Sequence, residues 1–192
     1  MSAAEQPYEP IRFLEGQHVY LRPVNQEDTE SYYHLLFHSE MRRLTGTQRH
    51  FTKEQIHSYI ESKAQDSTTV LLLIAEASSD TLIGDIALQD IDSINRNANL
   101  RIAIDAPSHQ GKGYGSEAIR LMLEYGFGIL NLHRIELNVF TYNDRAMHVY
   151  KKLGFKQEGV QREIIFYNHQ YHDSILMSML ASEYRALYKG NE

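Results

Sequence analysis

The sequence predicts a single-domain mixed α/β (α+β) fold, with about four helices flanking a mostly antiparallel mixed sheet of about seven strands. Three observations support it. Residues 69–105 hold three strand-like segments joined only by short turns, and a short turn can join only antiparallel neighbours. Segments with apolar residues at helical spacing stand on both sides of that block and alternate with further strands toward the C-terminus. The length of 192 residues, 42% of them hydrophobic, suits one domain with a sizeable core, and no internal repeat, linker or low-complexity stretch interrupts it.

The elements follow in order. Residues 1–17 form a lead segment whose first twelve residues are polar and hold two of the four prolines, the composition of a mobile lead or a strap. "HVYLRPV" (18–24) alternates as a short strand. "NQEDTESYYHLLFHSE" (25–40) begins a helix at Asn25 as N-cap, with Asp28 three positions on. "RRLTGTQRH" reads as a loop around Gly46, and a second helix starts at Thr52, where Gln55 completes a capping box. Strands at 69–77, 81–92 and 98–105 are joined by turns at Ser78 to Asp80 and Ser93 to Asn97, and the first, apolar on both faces, should be central. A glycine loop then leads into a helix over 116–130, a strand over 133–140 and a helix over 144–153 closed by Gly154. Strands over 155–167 and 172–180 finish the sheet, the domain spans 18–185, and 186–192 are a C-terminal tail.

Composition narrows the function. With no cysteine there is no disulfide, thiol nucleophile or thiolate metal site. Ten histidines are scattered; His34 and His38 fall at i, i+4, yet no acidic residue follows the first as in HExxH, so ordinary surface or interface histidines and no metal are expected. A formal charge of −6 and a pI near 5.9 argue against a nucleic-acid footprint and suit an amine-bearing small partner better. The apolar runs are too short to span a membrane and "MSAAEQPYEP" lacks signal-peptide features, so a cytoplasmic protein without a membrane partner is expected.

The chemistry concentrates at "HQGKGYGSEAI" (109–119). Glycines before a helix let the backbone approach a ligand, and the helix start offers unpaired N–H groups at the positive end of its dipole, which makes an anion cradle. A P-loop requires a hydroxyl residue after the lysine, but Gly113 follows Lys112. A dinucleotide fingerprint from Gly111 would put its third glycine where Ser116 stands, after hairpins that do not start a βαβ unit.

What fits is Q/RxxGxG/A, with Gln110, Gly113 and Gly115 in the key places, and downstream "NDRAMHVYKKLGF" (143–155). Two motifs in this order on these elements resemble the GNAT superfamily of acyl-CoA N-acyltransferases, over roughly residues 18–181. "QGKGYG", "GILNLHRI" and "FYNHQYHDSILMSML" are similar to its spermidine N-acetyltransferases, next to the ribosomal-protein N-terminal acetyltransferases. The resemblance implies a strongly twisted sheet whose central strands, here "ANLRIAID" and "HRIELNVF", splay to admit the pantetheine of acetyl-CoA against the backbone of Ala103, Ile104 and Asp105. It places the pyrophosphate on the loop made by Gln110, Gly111, Lys112, Gly113, Tyr114, Gly115 and Ser116. Asn143 and Ala146 join it from the next helix, where Asn143 would also serve as an ordinary cap, and Lys112 is equally readable as an exposed lysine.

Tyr150, seven residues after Asn143, is where the resemblance puts the group that protonates the departing thiolate; a tyrosine there could also simply pack. The general base is open. Glu136 shares a strand face with Asn138, the position at which ribosomal alanine acetyltransferases resemble this chain but carry glutamate, and it reads either as base or as a solvated carboxylate. Asp85 is a second candidate. Where the spermidine enzymes would have acceptor-binding glutamates stand Ala87 and Asn99, leaving Asp85, Asp90, Asp92 and Glu136 as the acids that could build another polyamine site. The reading that follows is direct acetyl transfer in a ternary complex to a peptide, protein N-terminal or small-molecule primary amine. Its alternatives are a polyamine acceptor or a non-catalytic acyl-CoA-binding module, and the closing hairpin fits either a homodimer interface or a plain exposed hairpin.

Overall fold

A computed structural model of the chain describes residues 11–105 and 107–190. The start of the expected lead segment, residues 1–10, lies outside the described residues. One sheet organises the molecule, in the order β1 (Leu14–Glu15), β2 (Val19–Pro23), β3 (Val70–Glu76), β4 (Leu82–Asp92), β5 (Asn97–Ile104), β6 (Arg134–Phe140), β8 (Gln170–Leu180), β7 (Lys156–Tyr167). All neighbours are antiparallel except β5 and β6. The helices are α1 (Thr29–Leu36), α2 (Ser39–Thr45), α3 (Lys53–Gln65), α4 (Tyr114–Glu124), α5 (Asp144–Leu153) and α6 (Ala181–Tyr188).

Alternation along the strands sorts the core into two layers. Leu72, Ile74, Leu100, Ile135, Leu137 and Met177 face α4, α5 and α6, where Ile119, Met122, Tyr150 and Tyr184 cover them. Leu73 and Ala103 face the opposite way, under Tyr32, Leu35, Met41, Ile56 and Ile60 of α1 to α3. β3 is apolar on both faces because it lies between both layers.

Several expectations need correction. The helix expected over 25–40 is three pieces: a 3-10 turn at Gln26–Asp28, then α1, then α2 after a break at Phe37 and His38. Asn25 caps the 3-10 turn as expected, with Asp28 at N3 accepting from the Asn25 N–H (2.8 Å) and from the guanidinium fork of Arg22 (2.6 and 2.8 Å). His38 is extended (ψ 120°), so His34 and His38 do not share a helix; His34 pairs with Glu30 instead. The segment expected to be a loop carries α2, closed by Gly46 in the left-handed region at φ 68°. Among the described residues the sheet has eight strands, because Leu14–Glu15 pairs with β2 ahead of residue 18, and α6 runs past residue 185 to Tyr188. The helix expected to reach residue 130 is α-helical only to Glu124 and continues as a π turn over Tyr125–Ile129. Gly126 lies in that turn, close enough to Ile135 that an added Cβ would stand 2.7 Å from its side chain.

The feature that positions the site is the parallel pair. β5 and β6 are in register only at Asn97 with Arg134, Ala98 with Ile135 and Asn99 with Glu136. Beyond that, β5 continues against β4 as far as Ile104 and β6 against β8 as far as Phe140, so the two part as expected and leave a backbone edge open on each side of the gap.

Candidate active site

The gap opens into a cavity of about 510 Å³. Its floor is β5 from Asn99 to Ile104 and β6 at Asn138 to Phe140, and one end is the glycine loop with the start of α4. Gly113 is left-handed (φ 88°) as N-cap of α4, Gly111 likewise (φ 78°), and a Cβ at either would meet nothing within 4 Å. Both glycines therefore answer to backbone conformation and ligand approach, and the first turn of α4 presents its unpaired N–H groups there. We expect Gly113→Ala to strain the loop by about 1–2 kcal/mol; calorimetric titration should show acetyl-CoA binding weakened several-fold, with the fold intact.

Gln110, Gly111, Gly113, Tyr114, Gly115 and Ser116 all line the cavity, as do Ala103, Ile104, Asn143, Ala146 and Tyr150. Tyr114 is held by its hydroxyl donating to Glu76 (2.5 Å) and Gln110 by Arg145 donating to its side-chain oxygen (2.5 Å). Two expected cofactor residues stand aside. Lys112 is not in the lining; its ammonium sits 5.7 Å over the Tyr114 ring. Asp105 is not in the lining either: its N–H donates to Ile83, and its carboxylate meets His109 at 2.8 Å.

Asn143 caps α5, its side-chain oxygen accepting from the Ala146 N–H (3.2 Å), and that cap fixes the helix that delivers Tyr150. Tyr150 is 8% exposed, packs edge-on against Phe155 at 5.9 Å, and makes no hydrogen bond through its hydroxyl among the described residues. Burial pushes its pKa up to about 12, so it stands protonated at any working pH.

Neither expected base lies in the cavity. Glu136 is on the same face as Asn138 but below the point where the strands part, and Arg134 holds its carboxylate (2.8 and 3.0 Å). Asp85 is fully buried, paired with Arg101 and accepting from the Tyr32 hydroxyl at 3.1 Å. Asp92 folds back on the N–H groups of Ile94 and Asn95. None of Asp85, Asp90, Asp92 and Glu136, the four acids considered for a polyamine site, lines the cavity, and among the described residues no other carboxylate does.

The sequence reading missed the cationic rim. Arg145 and Lys152 line the cavity from α5 and Arg101 from β5, and the imidazoles of His148 and His109 line it as well. Residues 145, 148, 149 and 152 recur at helical spacing after the Asn143 cap, a signal that was available in the motif itself. Thr45, Leu44 and Met41 of α2 close the other side.

A phosphate cradle at a helix start, a cationic rim and a slot between parted strands define a site for a long, phosphate-bearing acyl carrier. The comparisons agree: residues 18–156 match the acetyltransferase (GNAT) domain family, so the chain belongs to the GNAT acetyltransferases. It is similar to the spermidine N(1)-acetyltransferase of Vibrio cholerae serotype O1, 42% identical over 111 residues, which is 58% of this chain and 64% of that protein. To the spermidine N(1)-acetyltransferase of Escherichia coli K12 it is 31% identical over 176 residues, 89% of this chain and 90% of that one. The structure of the Vibrio cholerae spermidine N-acetyltransferase in complex with CoA and spermine superposes with a TM-score of 0.81 at 31% identity, covering 87% of this chain and 98% of that one. Among the described residues no helix is long and apolar enough to cross a membrane.

Proposed function

We propose that the protein N-acetylates a primary amine, a peptide or protein N-terminus or a small molecule, by direct attack in a ternary complex. The observation that carries this is Tyr150, which lines the cavity and whose hydroxyl makes no hydrogen bond among the described residues. When bound, acetyl-CoA supplies the activated acetyl group and a thiolate leaving group. Gln110 to Ser116, without Lys112, and the α5 rim hold its phosphates, while the free edge of β5 at Ala103 and Ile104 pairs the extended arm. Tyr150 donates its hydroxyl hydrogen toward the sulfur as charge develops there, an interaction that strengthens in the transition state. With no carboxylate lining the cavity among the described residues, the acceptor's proton leaves to water. Much of the rate comes from holding amine and thioester together.

A polyamine acceptor is the second reading. It is favoured by the spermidine acetyltransferases among the relatives and opposed by the absence of acidic lining among the described residues. The test incubates the protein with acetyl-CoA and separate amines: spermidine, spermine, short peptides with free N-termini, lysine-bearing peptides and aminoglycosides. Acetylated products are read by mass spectrometry. The first reading expects peptide or monoamine products at a kcat/KM at least about tenfold above the polyamines, the scale of one unmatched charge interaction. Polyamines turned over fastest would transfer the proposal to the second reading, and acetyl-CoA binding with no product would leave only a binding module.

A further inference from the structure

We infer that the acceptor amine also carries an anionic group, a carboxylate or a phosphate, and that Arg101 receives it. The inference rests on the N-acetyltransferase reading and names its acceptor class.

The sheet divides the cavity into two sides. α4 and α5 pack on the face of Leu100 and Leu137, so the phosphate cradle and the α5 cations belong to that side. Asn99, Arg101 and Ala103 alternate to the other face, the one covered by α1 to α3, where α2 adds Leu44 and Thr45. A carrier entering from the α4 side through the gap leaves this second side for the acceptor. There Arg101 is the one charged lining residue among those described.

Its setting makes it a receptor for charge. Asp85, on the neighbouring strand, is 0% exposed, whereas the Arg101 side chain is 29% exposed. The pair is neutral in sum, yet its negative end is sealed in the core and its positive end opens on the cavity. Asp85 is reached by Nη2 alone, so the rest of the guanidinium fork is not committed to it. The Tyr32 hydroxyl also donates to Asp85, and Tyr32 lies parallel to Tyr59 at 6.3 Å, which holds the ion pair in a fixed place. One oxygen of Asp85, Oδ1, accepts no hydrogen bond among the described residues. A carboxylate so placed stabilises less than an apolar side chain would, and orienting Arg101 is the return for keeping it there. Of the side chains that share this face with Arg101, those of Ala87, Gln89 and Asn99 are uncharged, and the two acids, Asp85 and Glu136, are already held by Arg101 and Arg134. A second ammonium group would find no partner among them, whereas a carboxylate or phosphate would find a planar donor fork.

The test compares matched acceptors under saturating acetyl-CoA, with rates corrected for the fraction of unprotonated amine. The carboxylate arm sets phenylalanine against phenylalaninamide and glycylglycine against its amide; the phosphate arm sets O-phosphoethanolamine against ethanolamine. We expect kcat/KM at least tenfold higher for the anionic member in one arm, which also says which anion is meant. Arg101→Leu alone risks misfolding, so the ratio is read in two other variants. Arg101→Lys keeps the charge without the fork and should shrink the preference. The double variant Asp85→Asn with Arg101→Gln removes both charges together and should bring it to about one. Equal or faster turnover of the neutral members, or a preference that survives the double variant, overturns this inference while leaving the acetyltransferase reading intact. Absence of any acetylated amine overturns both.

Discussion

Tyr150→Phe is expected to lower kcat by about 10²- to 10³-fold, the loss that follows removal of a single donor aimed at developing charge, while acetyl-CoA affinity changes less than about twofold. The hydroxyl is the only group lost, and the ring that packs on Phe155 stays. The pH profile adds an independent check. Because burial raises the Tyr150 pKa to about 12, the phenol remains a donor across the assay range. The rate should climb with pH as the acceptor ammonium deprotonates, with no falling limb due to Tyr150 below about pH 10. A falling limb near neutral pH that disappears in the phenylalanine variant would contradict this role.

The second large effect is on stability. Arg101→Leu leaves Asp85 buried without its countercharge, and breaking such a pair costs about 3–5 kcal/mol. Since Arg101 is 29% exposed, the lower end applies. For a chain of this length that corresponds to a Tm lowered by roughly 6–12 °C, readable by calorimetry. The double variant Asp85→Asn with Arg101→Gln removes charge from both sides and should recover most of the loss. If Arg101→Leu unfolds within a degree or two of the parent, the pair is not the anchor of the cavity wall.

Much of this architecture is written locally. α5 was read at its observed bounds, Asp144–Leu153, because Asn143 and Gly154 mark its two ends with side-chain and backbone chemistry. The strands of 69–105 were legible from alternation and turns, and the splay of β5 from β6 came from the family resemblance. α2 was hidden because seven residues carry too little periodicity, and its boundary depends on the extended backbone of His38 and on Gly46. α6 was missed for a similar reason: it begins directly from β8, capped by Glu183 reaching back to the Leu180 N–H at 2.9 Å.

The site divides in the same way. Apart from Lys112, Gln110 to Ser116 of the glycine loop fall at the cavity, as do Asn143, Ala146 and Tyr150 of the second motif, since spacing on one element fixes their direction. Charge partners were not legible, whether along a strand or between strands. Arg134 pairs with Glu136 two residues on along β6, and Arg101 pairs with Asp85 from the adjacent strand, so each base candidate that looks free in the sequence sits in an ion pair. The overall charge of −6 pointed to a cationic partner, whereas the cavity's own charged lining is cationic among the described residues. Net charge describes the surface as a whole and says little about one cavity.

Acetyl-CoA is expected to lie between β5 and β6 with its phosphates on the glycine loop. Amide hydrogen exchange with and without saturating acetyl-CoA tests it most directly. Peptides covering 102–104 and 110–116 should become protected by the cosubstrate, and those covering the β7–β8 hairpin should not. Protection confined to other elements, with the loop and β5 unchanged, would contradict the account.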